Sequence, residues 1–294
     1  MTLRNRRRTG RLALLLLTLV PGAGAIVTED IPRSESNPSG YAPYTGFDWS
    51  FVYRVGGASG VAVASHWILT ARHVTPGDIT VGSLTYHLLE TVAHPDADIR
   101  LARYDQAFPG YYPIYTGAFP GIPAPEHRRL TGLMVGFGRT GDVPTSTTYT
   151  WHGAETAGAK RWGDARIDAL GNHPDIGDYF VQPFNTAVTS YAAGAADKDS
   201  GGGVFVYSDG AWRLAGVMVS VIPDTSPYTG TVSVRLPSYA GWIVAVIPEP
   251  ATGLSLLAGA VLLGTWRRIG RRWRAAAGAE RPSRRPTSSF AGAR

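Results

Sequence analysis

The sequence predicts a mostly β protein with closely spaced turns. Between residues 26 and 247 the apolar residues fall in short runs, from three residues, as in Val204–Val206, to eight, as in Leu214–Val221. The runs are rich in Val, Ile, Tyr and Phe, and Gly, Pro, Asp and Thr separate them. Few long stretches hold a helical period, so strands are the better reading. About 220 residues of this kind suit two packed barrels or one large sandwich.

In chain order, examples of these runs are Ser50–Val55, Gly60–Ala64, Trp67–Thr70, Leu133–Phe137, Val204–Val206, Leu214–Val221 and Thr231–Leu236. The Pro- and Gly-rich segment Phe119–Pro125 is the expected crossing between two halves, at roughly 26–122 and 123–247. Ser238–Val246 (SYAGWIVAV) reads as a short closing helix. There is no internal repeat.

The ends follow a different logic. Residues 1–25 carry Arg4, Arg6, Arg7, Arg8 and Arg11, then the apolar run Leu12–Val20, then Ala23-Gly24-Ala25. A basic stretch, a short apolar stretch and a small-x-small site predict a secretory signal peptide. At the other end Pro248-Glu249-Pro250 precedes an apolar stretch, 251–266, and then Arg267, Arg268, Arg271, Arg272 and Arg274. That order resembles the PEP-CTERM sorting signal, assigned here to 248–274. The resemblance implies export in a Gram-negative bacterium, an exosortase-type sorting enzyme as partner, and transient membrane association through 251–266. The destination would be the periplasm, the cell surface or the extracellular matrix. Residues 275–294 have too little apolar content to fold and are expected to be a disordered tail.

Setting the ends aside reverses the electrostatics. The chain has 28 Lys+Arg and 22 Asp+Glu. Residues 1–25 hold five of the basic and none of the acidic side chains, and residues 251–294 hold nine and one. The 14 basic and 21 acidic side chains left in 26–250 give no reason to expect nucleic-acid binding. The chain has no cysteine, which excludes thiol nucleophiles and cysteine-based zinc sites. His66, His73, His87, His94, His127, His152 and His173 show no HExxH-like spacing, so neither a metal nor another cofactor is expected.

Three local patterns carry chemistry. They are Trp67-Ile68-Leu69-Thr70-Ala71-Arg72-His73-Val74, His94-Pro95-Asp96-Ala97-Asp98-Ile99-Arg100-Leu101, and Lys198-Asp199-Ser200-Gly201-Gly202-Gly203. Each alone is compatible with a surface histidine, a turn aspartate or a flexible glycine turn. Together, in the order His, Asp, Ser, they resemble the trypsin-like (chymotrypsin-fold) serine peptidases. Gly136-Phe137-Gly138 resembles that family's Gly-Trp-Gly strand, Leu214–Val221 its substrate-pairing strand, and Tyr239–Ile243 its C-terminal helix. The resemblance spans nearly all of 26–247. It implies two six-stranded antiparallel β-barrels with a short C-terminal helix.

Serine hydroxyls need a base within hydrogen-bond reach, and histidine titrates near neutrality. The resemblance therefore implies a serine endopeptidase acting on protein or peptide substrates. Ser200 is its expected nucleophile, His73 its general base and Asp98 the residue that orients His73. Asp96 is the competing acid, and Asp98 is preferred because Ile99 follows it. The backbone N–H groups of Lys198 and Ser200 would form the oxyanion hole. Cleavage after Ala25 would free an Ile26-Val27 terminus, whose amine the resemblance pairs with Asp199. The same resemblance places the specificity pocket at Gly194, Ser220, Ile222 and Thr231, implying a shallow uncharged site for small apolar residues such as Ala or Val.

The sequence also departs from the family. Lys198 stands where glycine is usual, Gly203 where proline is, and Arg72 and Arg100 replace small residues beside the triad. A weakly active or inactive homologue serving as a cell-surface binding module is the alternative. An ester hydrolase on another fold is disfavoured, since there is no Gly-x-Ser-x-Gly elbow with a following Asp and His.

Overall fold

The computed structural model describes residues 26–119, 130–223 and 225–247. The expected signal peptide, the sorting segment 248–274 and the tail 275–294 lie outside them, as does the crossing Phe119–Pro125 apart from Phe119. No helix among the described residues is long and apolar enough to cross a membrane.

The first half holds β1 (Val52–Val55), β2 (Ala58–Ala64), β3 (Trp67–Thr70), β4 (Ile79–Val81), β5 (Leu84–Tyr86), β6 (Leu88–Ala93) and β7 (Arg100–Tyr104). The second holds β8 (Thr131–Gly136), β9 (Arg161–Arg166), β10 (Ala169–His173), β11 (Gly177–Pro183), β12 (Gly203–Ser208), β13 (Ala211–Ile222) and β14 (Gly230–Arg235). A five-stranded sheet runs β1-β2-β3-β7-β6, a seven-stranded sheet runs β10-β11-β14-β13-β12-β8-β9, and β4-β5 is a separate ladder. Every named strand pair is antiparallel.

This corrects the expectation of two closed six-stranded barrels. The strands β4 and β5 are three residues each and pair only with each other, so the first sheet ends on β6. The residues of β6 are exposed or half-buried throughout, and of them only Leu88 packs against the core.

The core spans both large sheets. Val61, Leu69 and Leu101 of the five-stranded sheet share one buried cluster with Phe205, Leu214 and Val217 of the seven-stranded sheet. A second cluster joins Ile26 and Val27 to Met134, Tyr149, Phe180 and Val204. Each such Leu, Ile or Phe contributes about 1.5–3 kcal/mol by leaving water.

The described chain starts as a strap over the second sheet. Asp30 caps the short helix α1 (Ile31–Ser34) by accepting from Arg33 N at 3.0 Å. Trp162 then packs its ring 5.3 Å from Tyr41 and 5.2 Å from Tyr44, and its Nε1 donates to Ser36 O at 2.7 Å. At the other end, the expected helix Ser238–Val246 divides into a 3-10 turn at Leu236–Tyr239 and α2 (Ala240–Val246). Asp178 of β11 anchors it, accepting from Ser238 Oγ at 2.7 Å and Arg235 Nη2 at 2.5 Å.

Candidate active site

The pairing of β3 with β7 explains why residues 25 apart in sequence meet. Thr70 is opposite Arg100, so the chain leaving β3 and the chain entering β7 lie at the same edge. His73 follows the first and Asp98 precedes the second. Asp98 Oδ1 accepts from His73 N at 3.1 Å, and Oδ2 lies 2.7 Å from His73 Nδ1. The Asp98 side chain is only 4% exposed, and Asp98 N donates to Ile176 O at 3.1 Å. Asp96, two residues earlier, is exposed.

On its other side, His73 Nε2 lies 2.8 Å from Ser200 Oγ. A carboxylate only accepts, so Nδ1 carries the proton and Nε2 is left to accept from the serine hydroxyl. His73, Asp98 and Ser200 are therefore brought together by the fold in one hydrogen-bonded line.

The loop carrying Ser200 is held from both sheets. Ser59 of β2 is fully buried; its N donates to Ser200 O at 3.0 Å and its Oγ to Lys198 O at 3.0 Å. The same Oγ accepts from Phe137 N at 3.0 Å, and Ser59 O accepts from Thr70 Oγ1 at 2.7 Å. Gly201 has φ +88°, and a Cβ there would collide with Ser59 O and Thr70 Oγ1. Sequence reasoning missed Ser59; a lone hydroxyl in the apolar run of β2 was its only signal.

Lys198 adopts φ +86°, in the left-handed region that a side chain disfavours. Asp197 O accepts from Arg139 N at 3.0 Å, and the Asp197 carboxylate is paired with the Arg139 guanidinium. The two groups of a trans peptide point in opposite directions, so Lys198 N–H faces away from Arg139.

Asp199 is fully buried, and Gly138 N donates to its Oδ1 at 3.3 Å. A Cβ on Gly136 would collide with that carboxylate, so the Gly136-Phe137-Gly138 run makes room for it. Burial pushes the Asp199 carboxyl well above its ordinary value, against the backbone donors and the charge of Arg161. Its Oδ2 has no hydrogen-bond partner among the described residues. Ile26 is buried, and Val27 pairs with Gly194 through N–H···O bonds of 2.6 and 3.0 Å.

Of the four expected pocket residues, Ser220 lines a recess beside Ser200 together with Ala195, Met218 and Val221; Gly194, Ile222 and Thr231 do not line it. Thr231 lies behind Ala195, accepting from its N at 2.8 Å, and Ile222 pairs with Gly230. Gly194 lies beneath the ring of Tyr149, a residue that the sequence did not single out.

Two arginines brace the His73–Asp98 edge. Arg72 donates through Nη1 to Pro95 O at 2.9 Å and His94 O at 3.4 Å, and through Nη2 to Asp175 O at 3.1 Å. Arg100 Nη1 donates to Val74 O at 3.2 Å. His94 packs 4.8 Å from Tyr239 and 4.9 Å from Trp242, and burial lowers its pKa. Among the described residues no three His, Asp or Glu side chains gather as metal ligands.

No family model and no curated protein sequence matches this chain. Among solved structures, it is similar to the passenger domain of Plasmid encoded toxin, an autotransporter enterotoxin from enteroaggregative Escherichia coli. That alignment has a TM-score of 0.49 and 16% identity, and covers 64% of this chain and 21% of the passenger-domain chain. This chain thus spans about a fifth of that protein's length.

Proposed function

We propose that the protein is a serine endopeptidase that cleaves peptide bonds through an acyl-enzyme on Ser200. The observation that carries this reading is the line Asp98–His73–Ser200, with contacts of 2.7 and 2.8 Å. His73 takes the serine proton as Oγ attacks the scissile carbonyl, then delivers it to the leaving amine. Asp98 holds the tautomer and stabilises the imidazolium. The backbone N–H groups of Ser200 and Lys198 receive the developing oxyanion, each worth on the order of 3 kcal/mol. His73 and Asp98 come from the five-stranded side and Ser200 from the seven-stranded side, as a chymotrypsin-like architecture requires.

The buried, unpartnered Asp199 Oδ2 supports a further role for the start of the folded segment. A free amine on Ile26 would give that carboxylate a charged partner close to the oxyanion hole. Intact-mass measurement of the exported protein is expected to show a start at Ile26; any other start removes this part. The sequence of 1–25 and 248–274 supports export and sorting to the surface or matrix of a Gram-negative bacterium.

The left-handed Lys198 favours a second reading, a homologue of low activity retained as a surface binding module. A fluorophosphonate probe separates the two. Labelling that disappears in Ser200→Ala supports the peptidase, whereas a folded parent that takes no label supports the binding module.

A further inference from the structure

Tyr149 is fully buried, yet it comes from the irregular segment between β8 and β9. Its backbone is locked to Tyr228 by paired N–H···O bonds of 2.9 and 2.8 Å, and its ring centroid is 5.1 Å from Phe184 and 5.6 Å from Tyr228. The ring occupies the space that a side chain on Gly194 would fill, and its hydroxyl donates to Gly230 O at 3.3 Å. It therefore spans from the segment that leads into Ala195 to the first residue of β14. The next residue of that strand, Thr231, is hydrogen-bonded to Ala195 N. Ala195 is a wall of the recess beside Ser200, whose lining also includes Met218, Val219, Ser220 and Val221.

Resting on the peptidase reading above, we infer that Tyr149 is the floor of the substrate pocket and restricts the residue before the cut to alanine or glycine. A glycine at 194 is needed for the ring to lie there, because any Cβ would collide with it. The pocket is thus shallow because a ring from another segment fills it from below. The absence of charge at 194 says only that no cation is attracted. Alanine asks the least of this space, because its side chain is a single methyl. Leucine or phenylalanine would need the volume the ring holds, and the ring is fixed by two backbone bonds and by Phe184 and Tyr228.

The test compares peptide reporters with Ala, Leu or Phe before the cut, using the whole protein, Tyr149→Ala, Tyr149→Leu and Tyr149→Phe. Fluorophosphonate labelling establishes how much of each is active. Expected are a parent that prefers Ala and a Tyr149→Phe variant with the same preference. The Leu/Ala ratio of kcat/KM should rise about tenfold or more in Tyr149→Ala and by an intermediate amount in Tyr149→Leu, the scale on which pocket room is discriminated. A residue serving only the core would lower all three rates together. A labelled parent that cleaves after Leu as well as Ala, or labelled variants with an unchanged ratio, would overturn this inference alone. A folded parent that takes no label overturns the peptidase reading and this inference with it.

Discussion

The Ser59 hydroxyl donates to the carbonyl oxygen of Lys198 at 3.0 Å, so a buried side chain of the five-stranded sheet fixes the loop that presents Ser200 from the seven-stranded one. Replacing it leaves Phe137 N–H and Lys198 O without that partner. Ser59→Ala is therefore expected to lose about 1–3 kcal/mol of stability. Its rate of fluorophosphonate labelling should fall further than the stability loss explains. Chemical denaturation and labelling kinetics on one preparation measure both, and an unchanged labelling rate would count against the coupling.

Lys198 adopts a backbone conformation that glycine reaches freely. Lys198→Gly relieves roughly 1 kcal/mol of strain, partly offset by glycine's greater freedom in the unfolded chain. The net stability change is thus expected to be small, whereas labelling and turnover should rise. Lys198→Val, with a branched side chain at φ +86°, should lose activity. If glycine gives no gain in rate, the strain at Lys198 does not limit turnover.

Asp98→Asn should lower kcat by about 10⁴ with the fold retained, because an amide no longer enforces the tautomer in which His73 Nε2 accepts. Asp96→Asn, at an exposed position on the same turn, should leave kcat unchanged. Steady-state kinetics on the two variants decides between the carboxylates.

Asp199 has a pH signature. Its folded pKa lies well above its ordinary 3.8, so the folded state binds the extra proton between those two values. Stability from this group is fully present below pH 3.8 and is lost as pH rises through that window to the raised folded value. Asp199→Asn is expected to flatten this part of the stability–pH curve when Ile26 is still joined to Ala25. A form beginning at Ile26 should lack the slope, because the ammonium pairs with the carboxylate. Urea titrations across pH on the three forms provide the check.

Arg72→Ala should lower kcat about tenfold while leaving KM nearly unchanged, because the guanidinium touches backbone carbonyls of the turns around Asp98 and not the hydroxyl of Ser200. Arg72→Lys should recover little, since one ammonium cannot span the positions of Pro95 O and Asp175 O. The Nδ1 proton resonance of His73 reports the effect directly and is expected to broaden in both variants.

Much of this site was legible in the sequence. The run Trp67–Thr70 is a strand with those boundaries, and β13 extends the expected Leu214–Val221 by a few residues at its start and one at its end. Their apolar residues are buried in blocks, which is the signal that periodicity detects. The strands β6 and β10 give a weaker signal, because their residues are mostly exposed or half-buried and only Leu88 and Leu170 pack against the core. The His, Asp and Ser motifs were readable because each sits at a strand end whose register places it. Ser59 and Tyr149 were not, since their roles depend on partners far away in the chain: Lys198 for one, Gly194 and Gly230 for the other. Barrel closure is not legible in this way, because the lengths of β4 and β5 set it and residue type says little about length.

The chain has no cysteine, and Arg72 fastens the turn next to His73 with hydrogen bonds to three carbonyls. A crosslink would have tied assembly of this edge to an oxidising compartment. Held by a guanidinium instead, the edge assembles equally well in a reducing or an oxidising setting, and thiols in the surroundings have no bond here to break.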